Sequence, residues 1–314
     1  MKVDSCLDNY KIIKTLGEGY SGKVKLGKDK ETGQLHALKI LNIQKLNQKN
    51  LKNCLISFQA EITALMKIKH QNIIGYVDYK KDGLYTTKNK KEKKVDYIMT
   101  ELASNGEIFE IIHKTGRFSE NCCRFYMKQL VSALKYLNDQ NIAHRDIKLE
   151  NLMLDDNLDL KLIDFGFATF FDRERKNKTI VGTHGYLCPE LNNRRCYNPH
   201  KADIFAAGIS LFILFFGHPP FHEALLSNKY YNAFVRENDA FWKFHQNHGQ
   251  LTHLSNELKM LLNGMLDNNP IKRLDIEQIE QFAWIRESVD EEEAKKEMKQ
   301  RVEKMRVLED EITN

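Results

Sequence analysis

The 314-residue sequence has no CxxC pair, and none of its cysteines has a histidine partner at zinc-finger spacing. The six cysteines (Cys6, Cys54, Cys122, Cys123, Cys188, Cys196) therefore read as reduced thiols, which suits a cytoplasmic setting, with the nucleus as the alternative. No apolar signal core stands in MKVDSCLDNY, so no secretion signal is expected. Lys2 occupies the position where N-myristoylation needs glycine. The most apolar run, Ile204 to Phe216, falls short of the ~20 residues of a membrane span and reads as a buried helix. No loop has Gly at its sixth and Glu at its twelfth position, so an EF-hand calcium site is excluded. There is no internal repeat. Net charge is +5, too mild to indicate nucleic acid by itself. The 42% hydrophobic content sustains a packed core, in one two-part unit or in two ordinary domains.

What is present is patterned. KIIKTL, GEGYSG, KVKLGKD, ETGQ and LHALKIL predict three strands joined by tight turns. Leu51, Leu55, Phe58, Ile62 and Leu65 then recur at helical spacing and predict one apolar helix face. NIIGYVDY and VDYIMTEL predict two more strands. Between them a lysine-rich loop over 80–94 carries Lys80, Lys81, Lys88, Lys90, Lys91, Lys93 and Lys94. It reads as a solvated insertion with partner docking left open. Only Tyr85 offers a ring to stack on bases, so no nucleic-acid partner is expected.

Past residue 101 the period becomes helical. Ser104 with Glu107 predicts a capping box that opens a short helix. Ser119 to Asn138 predicts a longer amphipathic helix, and LML and LKLI predict two short strands around DDNLD. From residue 288 the composition shifts to VDEEEAKKEMKQRVEKMRVLEDEI, a charged helical tail without aromatic, Gly or Pro. Its stripe of Met298, Val302, Met305, Leu308 and Ile312 is open to three readings. They are a short coiled coil, a calmodulin target, and a helix packed on the body of the protein.

Several residue groups carry chemistry. Gly17-Glu18-Gly19-Tyr20-Ser21-Gly22-Lys23-Val24 sets three glycines in a turn between strands. Without Cβ atoms its N–H groups can approach phosphate oxygens, although a plain hairpin would look the same. A dinucleotide-binding turn would open into a helix instead. Lys39 is the only charge in the apolar strand LHALKIL, which suits either a sheet-edge lysine or a cation aimed at phosphates. The only carboxylate between Lys39 and Asp78 is Glu61, beside Phe58 and Leu65 on the helix flank. It is the available partner for Lys39, with a solvated helix charge as the alternative. In His144-Arg145-Asp146-Ile147-Lys148-Leu149-Glu150-Asn151 an acid, a lysine and an amide share one loop. The acid can accept a hydroxyl proton, the amide oxygen can bind Mg²⁺, and the lysine can neutralise a moving phosphoryl group. Asp164-Phe165-Gly166 follows an apolar strand and adds a hard oxygen donor.

In order along the chain stand GxGxxGxV, an A-x-K lysine, a helix glutamate, HRDxxxxN, DFG and a variant of APE. The set resembles the signature of eukaryotic protein kinases of the serine/threonine type, over roughly residues 10–287. The resemblance implies an α+β fold of two lobes with ATP in the cleft between them. The small lobe (10–100) is mainly antiparallel β with one main helix; the larger (101–287) is mostly helical, and 288–314 follows as the tail. It implies transfer of the γ-phosphate of Mg-ATP to Ser/Thr hydroxyls of protein substrates. Gly17, Gly19 and Gly22 would cover the phosphates, with Glu18, Val24 and Ala37 in the same nucleotide-binding set. Lys39, paired with Glu61, would orient the α- and β-phosphates. Asp146 resembles the catalytic base, Lys148 the γ-phosphate lysine, and Asn151 and Asp164 the Mg²⁺ ligands. Thr100 stands at the gatekeeper position, before the hinge Glu101-Leu102-Ala103 that would bind adenine.

Arg273 resembles the arginine that pairs with Glu190, and Asp203 the buried aspartate that supports the HRD backbone. Lys148 and Thr183 are of the serine/threonine type. TIVGTHGYLCPE and FGHPPF look most like the calmodulin-dependent and AMP-activated group. Glu107 and Glu150 match positions that bind basic residues upstream of the phosphorylated hydroxyl. Thr179 would be a phosphorylation switch answered by Arg145, which brings in an upstream activating kinase; Arg173, Arg175, Lys176 and Lys178 flank it. A partner for the tail is a further candidate. Cys188 replaces the Ala of APE, a small apolar substitute. A pseudokinase would need a broken Lys39, Asp146 or Asp164, and all three are intact.

Overall fold

The computed structural model describes residues 5–19, 22–41, 48–171, 177–249 and 253–313. Tyr20, Ser21, Arg173, Arg175, Lys176 and the side chain of Ile312 lie outside the described residues. The chain divides into two compact units, Met1–Ala103 with Asp164–Ala168 and Ser104–Ile163 with Thr169–Asn314.

The first unit contains strands β1 (Cys6–Leu7), β2 (Tyr10–Glu18), β3 (Gly22–Asp29) and β4 (Leu35–Leu41), helix α1 (Gln48–Leu65), and strands β5 (Tyr76–Thr86) and β6 (Glu92–Thr100). The strands are antiparallel and close into a barrel in the order β1–β2–β3–β4–β6–β5. Strand β1 is too short to show a period in the sequence, yet it pairs with both β2 and β5 and removes the free edge. Alternation along β4 sends Leu38 and Ile40 into a core with Leu7, Val95, Tyr97 and Met99, and leaves Ala37 and Lys39 on the opposite face.

Two expectations are corrected in this unit. The lysine-rich stretch is mostly a hairpin. Lys80 and Lys81 lie in β5, Lys93 and Lys94 lie in β6, and only 87–91 turns. Backbone pairing holds such a ribbon whatever charges point outward. On α1, Phe58, Ile62 and Leu65 are buried as expected, but Leu55 is exposed and Cys54 takes its place. Glu61 lies on the buried face.

The second unit contains α2 (Ile108–Thr115), α3 (Glu120–Asp139), β7 (Ile142–Ala143), β8 (Leu152–Leu154), β9 (Leu160–Leu162) and β10 (Thr169–Phe170). Helices α4 (Pro189–Asn192), α5 (Pro199–Phe216), α6 (Lys229–Arg236), α7 (Asn238–His248), α8 (Asn256–Met265), α9 (Ile276–Glu280), α10 (Ala283–Arg286) and α11 (Glu291–Thr313) follow. Ser119 caps α3 by accepting from the Cys122 N–H at 3.1 Å. Helix α5 is apolar all round and 83% buried, the central helix of the unit. On α11, Met298, Val302 and Met305 are buried against α2 and α3, so the tail is a helix packed on the body of the protein.

The capping box expected at Ser104 does not form. Gly106 is left-handed (φ 84°) and the Glu107 backbone bridges to Met153, so the chain is still turning and α2 starts only at Ile108. Ser104 donates its hydroxyl to Asp156 instead.

His245 on α7 is 2% exposed among Phe212, Phe241 and Phe244, with His218 stacked on it at 5.2 Å. Burial pushes its pKa down to about 4, with His218 and His248 pushing the same way. The folded state thus resists a proton that the unfolded chain takes up near pH 6.5. The neutral ring's contribution is complete above that pH and is lost as pH falls toward 4. Between pH 7 and pH 5 the loss at this residue is about 2 kcal/mol. Urea titrations of wild type and His245→Phe at both pH values should show a smaller acid loss in the variant by about that amount. Equal losses would contradict the account.

Candidate active site

In the first unit the strand register gathers the predicted nucleotide residues on one face. Lys39 stands opposite Val24 on β3, and Ala37 opposite Thr100 on β6. The Lys39 Nζ lies 2.6 Å from Glu61 Oε2 and 2.9 Å from Asp164 Oδ1. Burial opposes the lysine charge, but the two carboxylates outweigh it and hold Lys39 well above its usual range. Burial and the nearby Asp164 push Glu61 upward against the pull of Lys39. One cation therefore serves two carboxylates, and Asp164, with a side chain 43% exposed, is the more accessible of the two. Asp164 is itself left-handed (φ 62°) at the start of the 3-10 turn Phe165–Phe167. A Cβ at Gly166 would stand 2.5 Å from Ser57 Oγ, so glycine lets this turn pack on α1.

The glycine-rich turn is closed by the Gly19 N–H donating to Gly22 O at 2.8 Å, with Lys23 paired to Glu18 at 3.0 Å. Its glycines do different work. A Cβ at Gly17 would meet nothing within 4 Å, whereas one at Gly22 would lie 2.1 Å from the Ile40 carbonyl. The third glycine thus serves the β3–β4 pairing, whereas the space a side chain would fill at the first is empty of protein atoms. Further along, the Glu101 N–H donates to Gly75 O at 2.9 Å and Ala103 is buried.

In the second unit the loop after β7 is organised by Asp203 of α5. Its Oδ2 accepts the His144 N–H and its Oδ1 the Arg145 N–H, both at 2.7 Å. Burial pushes the Asp203 carboxyl up to about 7, while those two N–H groups and the Arg145 charge pull it down. Arg145 is left-handed (φ 66°). His144 Nδ1 accepts the Asp146 N–H at 3.2 Å, so its proton lies on Nε2, which donates to Ile163 O at 2.9 Å.

The turn so held places Asp146 in a polar cluster. Lys148 Nζ lies 2.9 Å from Asp146 Oδ2, and Thr183 Oγ1 donates to Asp146 Oδ1 at 2.7 Å. Lys148 also donates to Thr183 Oγ1 at 2.7 Å. Asn151 gives its amide N–H groups to the Asp146 carbonyl (2.7 Å) and Oδ2 (3.2 Å), which leaves Oδ1 as its presented atom. The structure thus brings Asp146, Lys148, Asn151 and Thr183 together.

Glu107 and Glu150 are neighbours. Burial raises the Glu107 carboxyl, and the Glu110 and Glu150 charges raise it further. Tyr186 donates to Glu150 Oε2 at 3.4 Å. A cavity of about 540 Å³ adjoins, lined by Phe109, Ile112, Glu150, Tyr186 and Phe221 among others. Thr179 is exposed and its carbonyl accepts the Tyr197 hydroxyl at 2.9 Å. Arg145 bonds that same hydroxyl. Tyr197 is thus a link from Arg145 to Thr179 that has no signal in the sequence, since a lone tyrosine before a helix fits no motif.

Glu190 and Arg273 form a bidentate pair at 3.0 and 2.7 Å, with Arg273 fully buried. Cys188 is fully buried, and burial with the Glu190 charge pushes its thiol up to about 12. It fills the alanine site as an inert side chain.

Residues 10–285 match the family model "protein kinase domain". CBL-interacting protein kinase 26 of Oryza sativa subsp. japonica is 34% identical over 287 residues, which cover 90% of this chain and 53% of that protein. CBL-interacting serine/threonine-protein kinase 14 of Arabidopsis thaliana is 33% identical over 290 residues, covering 91% and 60%. The chain spans between half and two thirds of the length of the curated relatives it matches.

Breaking the buried pair should be severe. Arg273→Ala strands the Glu190 carboxylate and should cost about 3–5 kcal/mol in a urea titration. A loss below about 1 kcal/mol would contradict this role for the pair.

Proposed function

The chain belongs to the protein kinase family, and on that premise we propose that it transfers the γ-phosphate of Mg-ATP to serine and threonine hydroxyls of protein substrates. Its barrel unit and its helical unit are the two lobes of the protein kinase fold. In the proposal the kinase domain runs over 10–287 and the tail over 288–314. The observation that carries the reading is the cluster at Asp146. Thr183 places a hydroxyl 2.7 Å from Asp146 Oδ1 while Lys148 donates to the same hydroxyl oxygen. That is the reach a carboxylate needs to take a hydroxyl proton in catalysis. Asp146 acts as the base toward the substrate hydroxyl, and Lys148 offsets charge on the moving phosphoryl group. Lys39, oriented by Glu61, holds the α- and β-phosphates. Gly17, Glu18, Gly19, Gly22, Val24 and Ala37 serve nucleotide binding, with Thr100, Glu101 and Ala103 on the adenine side.

The donor set fits Mg²⁺. Among the described residues no group of three or more His, Cys, Asp and Glu side chains is arranged to hold a metal unaided. Asp164 and Asn151 each offer an oxygen donor, which suits an ion held by one or two protein oxygens together with substrate phosphates and water. The ion's chemistry there would be neutralisation of phosphate charge.

Within the family, TIVGTHGYLCPE and FGHPPF support a place near the calmodulin-dependent and AMP-activated group. The crowded Glu107 and Glu150 carboxylates support a preference for substrates with Arg or Lys upstream of the hydroxyl. The reduced cysteines support a cytoplasmic setting. Phosphorylation of the exposed Thr179 by an upstream kinase would add about −1.5 to −2 charge. Its backbone is tied through Tyr197 to Arg145, a cation suited to answer that charge.

Two measurements test this reading. Asp146→Asn and Lys39→Met should each lower phosphotransfer by at least about 10²-fold with the circular dichroism spectrum unchanged. Near wild-type turnover in either variant would refute the assignment. Phosphatase treatment that leaves Thr179 bare, checked by mass spectrometry, and Thr179→Ala should both lower activity about tenfold or more. Full activity in both preparations would remove the switch.

A further inference from the structure

Helix α11 grips α2 at both ends. Arg301 donates to Thr115 Oγ1 (2.9 Å), Thr115 O (3.3 Å), Gly116 O (3.0 Å) and Arg117 O (2.7 Å). The last carbonyls of a helix have no intrahelical donors and carry the negative end of its dipole. A guanidinium there satisfies the carbonyls and offsets that charge. Glu297 holds the guanidinium from the other side, accepting from Arg301 Nε at 2.9 Å. The same carboxylate accepts the Ser119 N–H at 3.1 Å. At the opposite end Arg306 donates to Asn105 Oδ1 at 2.9 Å. The Met305 methyl lies 3.8 Å from where a Gly106 Cβ would stand. Asn105 is itself fixed, its N–H to Leu154 O at 2.9 Å and its side-chain amide to Asp155 O at 2.7 Å. Between the two grips Val302 and Met305 are buried, and Ala294 and Met298 are buried ahead of them.

Glu107 stands at the start of the gripped helix. It is the N-cap of α2 and follows Gly106, whose left-handed backbone is the natural pivot for the helix. Eight residues make α2 a rod of about 12 Å. The Glu107 carbonyl accepts the Ile111 N–H at 3.2 Å, so the tilt of α2 is coupled to the direction in which the Glu107 side chain points.

We propose that α11 is a positioning element for substrate recognition, with Arg301 its principal residue. By fixing α2 at both ends it holds Glu107 where the upstream Arg or Lys of a protein substrate meets it. The proposal rests on the reading of Glu107 given above. Arg301 bonds Glu297 and residues 115–117, none of them in the set assigned to catalysis, so its removal acts on affinity for basic substrates and spares the chemical step.

The test uses the full chain and two peptides that differ only in an upstream Arg or Ala. Wild type should prefer the Arg peptide, and Glu107→Ala should erase the preference. Arg301→Ala should raise KM for the Arg peptide about tenfold, the scale of one charge-assisted bond. It should leave kcat and the Ala-peptide KM unchanged, and have no further effect in the Glu107→Ala background. Arg301→Lys should recover part of the loss, because an ammonium still reaches the carbonyls. Arg306→Ala, at an exposed position that puts folding at no risk, should raise the same KM more mildly. If Glu107→Ala erases the preference but Arg301→Ala and Arg306→Ala leave KM alone, the positioning role is overturned and Glu107 stands. The positioning role is overturned equally if Arg301→Ala lowers kcat to the same extent on both peptides. If Glu107→Ala keeps the preference, the reading of Glu107 falls and the proposal with it.

Discussion

The helical unit depends on one buried carboxylate that is bonded to backbone. Asp203 sits 4% exposed on α5 and accepts two backbone N–H groups, from His144 and Arg145. A bare buried charge is costly, and two aligned N–H donors are what make this one tolerable. The exchange fixes the loop. Arg145 is held left-handed, His144 is held in one tautomer, and Asp146 is left facing Lys148, Thr183 and Asn151. Removing the Asp203 acceptors would free the His144 and Arg145 N–H groups that hold this loop. The loop also depends on α5 being apolar all round, because only a deeply buried helix can present a carboxylate away from water.

The barrel unit uses the opposite device, one buried cation shared by two acids. Lys39 is anchored to a strand, Glu61 to α1, and Asp164 to a strained turn that packs on α1 through Gly166. Three separate stretches of chain therefore meet at one ammonium group. The difference in exposure between the acids gives them different work. Glu61 is enclosed beside Lys39, whereas Asp164 is the more exposed of the two acids. Asn151 in the other unit is likewise left presenting an oxygen because its amide nitrogen is already committed. These are features of a protein kinase domain, the family to which the chain belongs.

The motif residues were legible in the sequence because each is fixed by chemistry at short range along the chain. Asp146, Lys148 and Asn151 stand in one loop, and Glu61 is the only carboxylate between Lys39 and Asp78. Long, periodic elements such as α3 and α5 were legible for the same local reason. What was not legible depends on contacts distant in sequence. Strand β1 is two residues long and gains its meaning only from pairing with β2 and β5. The capping box at Ser104 had the right letters, but Gly106 and the Met153 bridge kept the chain turning. Tyr197 belongs to no motif, and its tie to Thr179 and Arg145 exists only in the fold. The lysines of 80–94 looked like a loop because charge was the only visible signal, while the backbone pairing that makes a hairpin leaves no mark in composition. The tail stripe had three readings until the burial of Met298, Val302 and Met305 chose one.

The central claim is that the purified chain moves a phosphoryl group from Mg-ATP to an alcohol side chain. Its most direct test incubates the protein with γ-labelled ATP and a degenerate peptide library, with and without Mg²⁺, and identifies the labelled amino acid after hydrolysis. The account predicts label on phosphoserine and phosphothreonine, and no transfer when Mg²⁺ is withheld. Label confined to phosphotyrosine, or transfer that is indifferent to Mg²⁺, would contradict it.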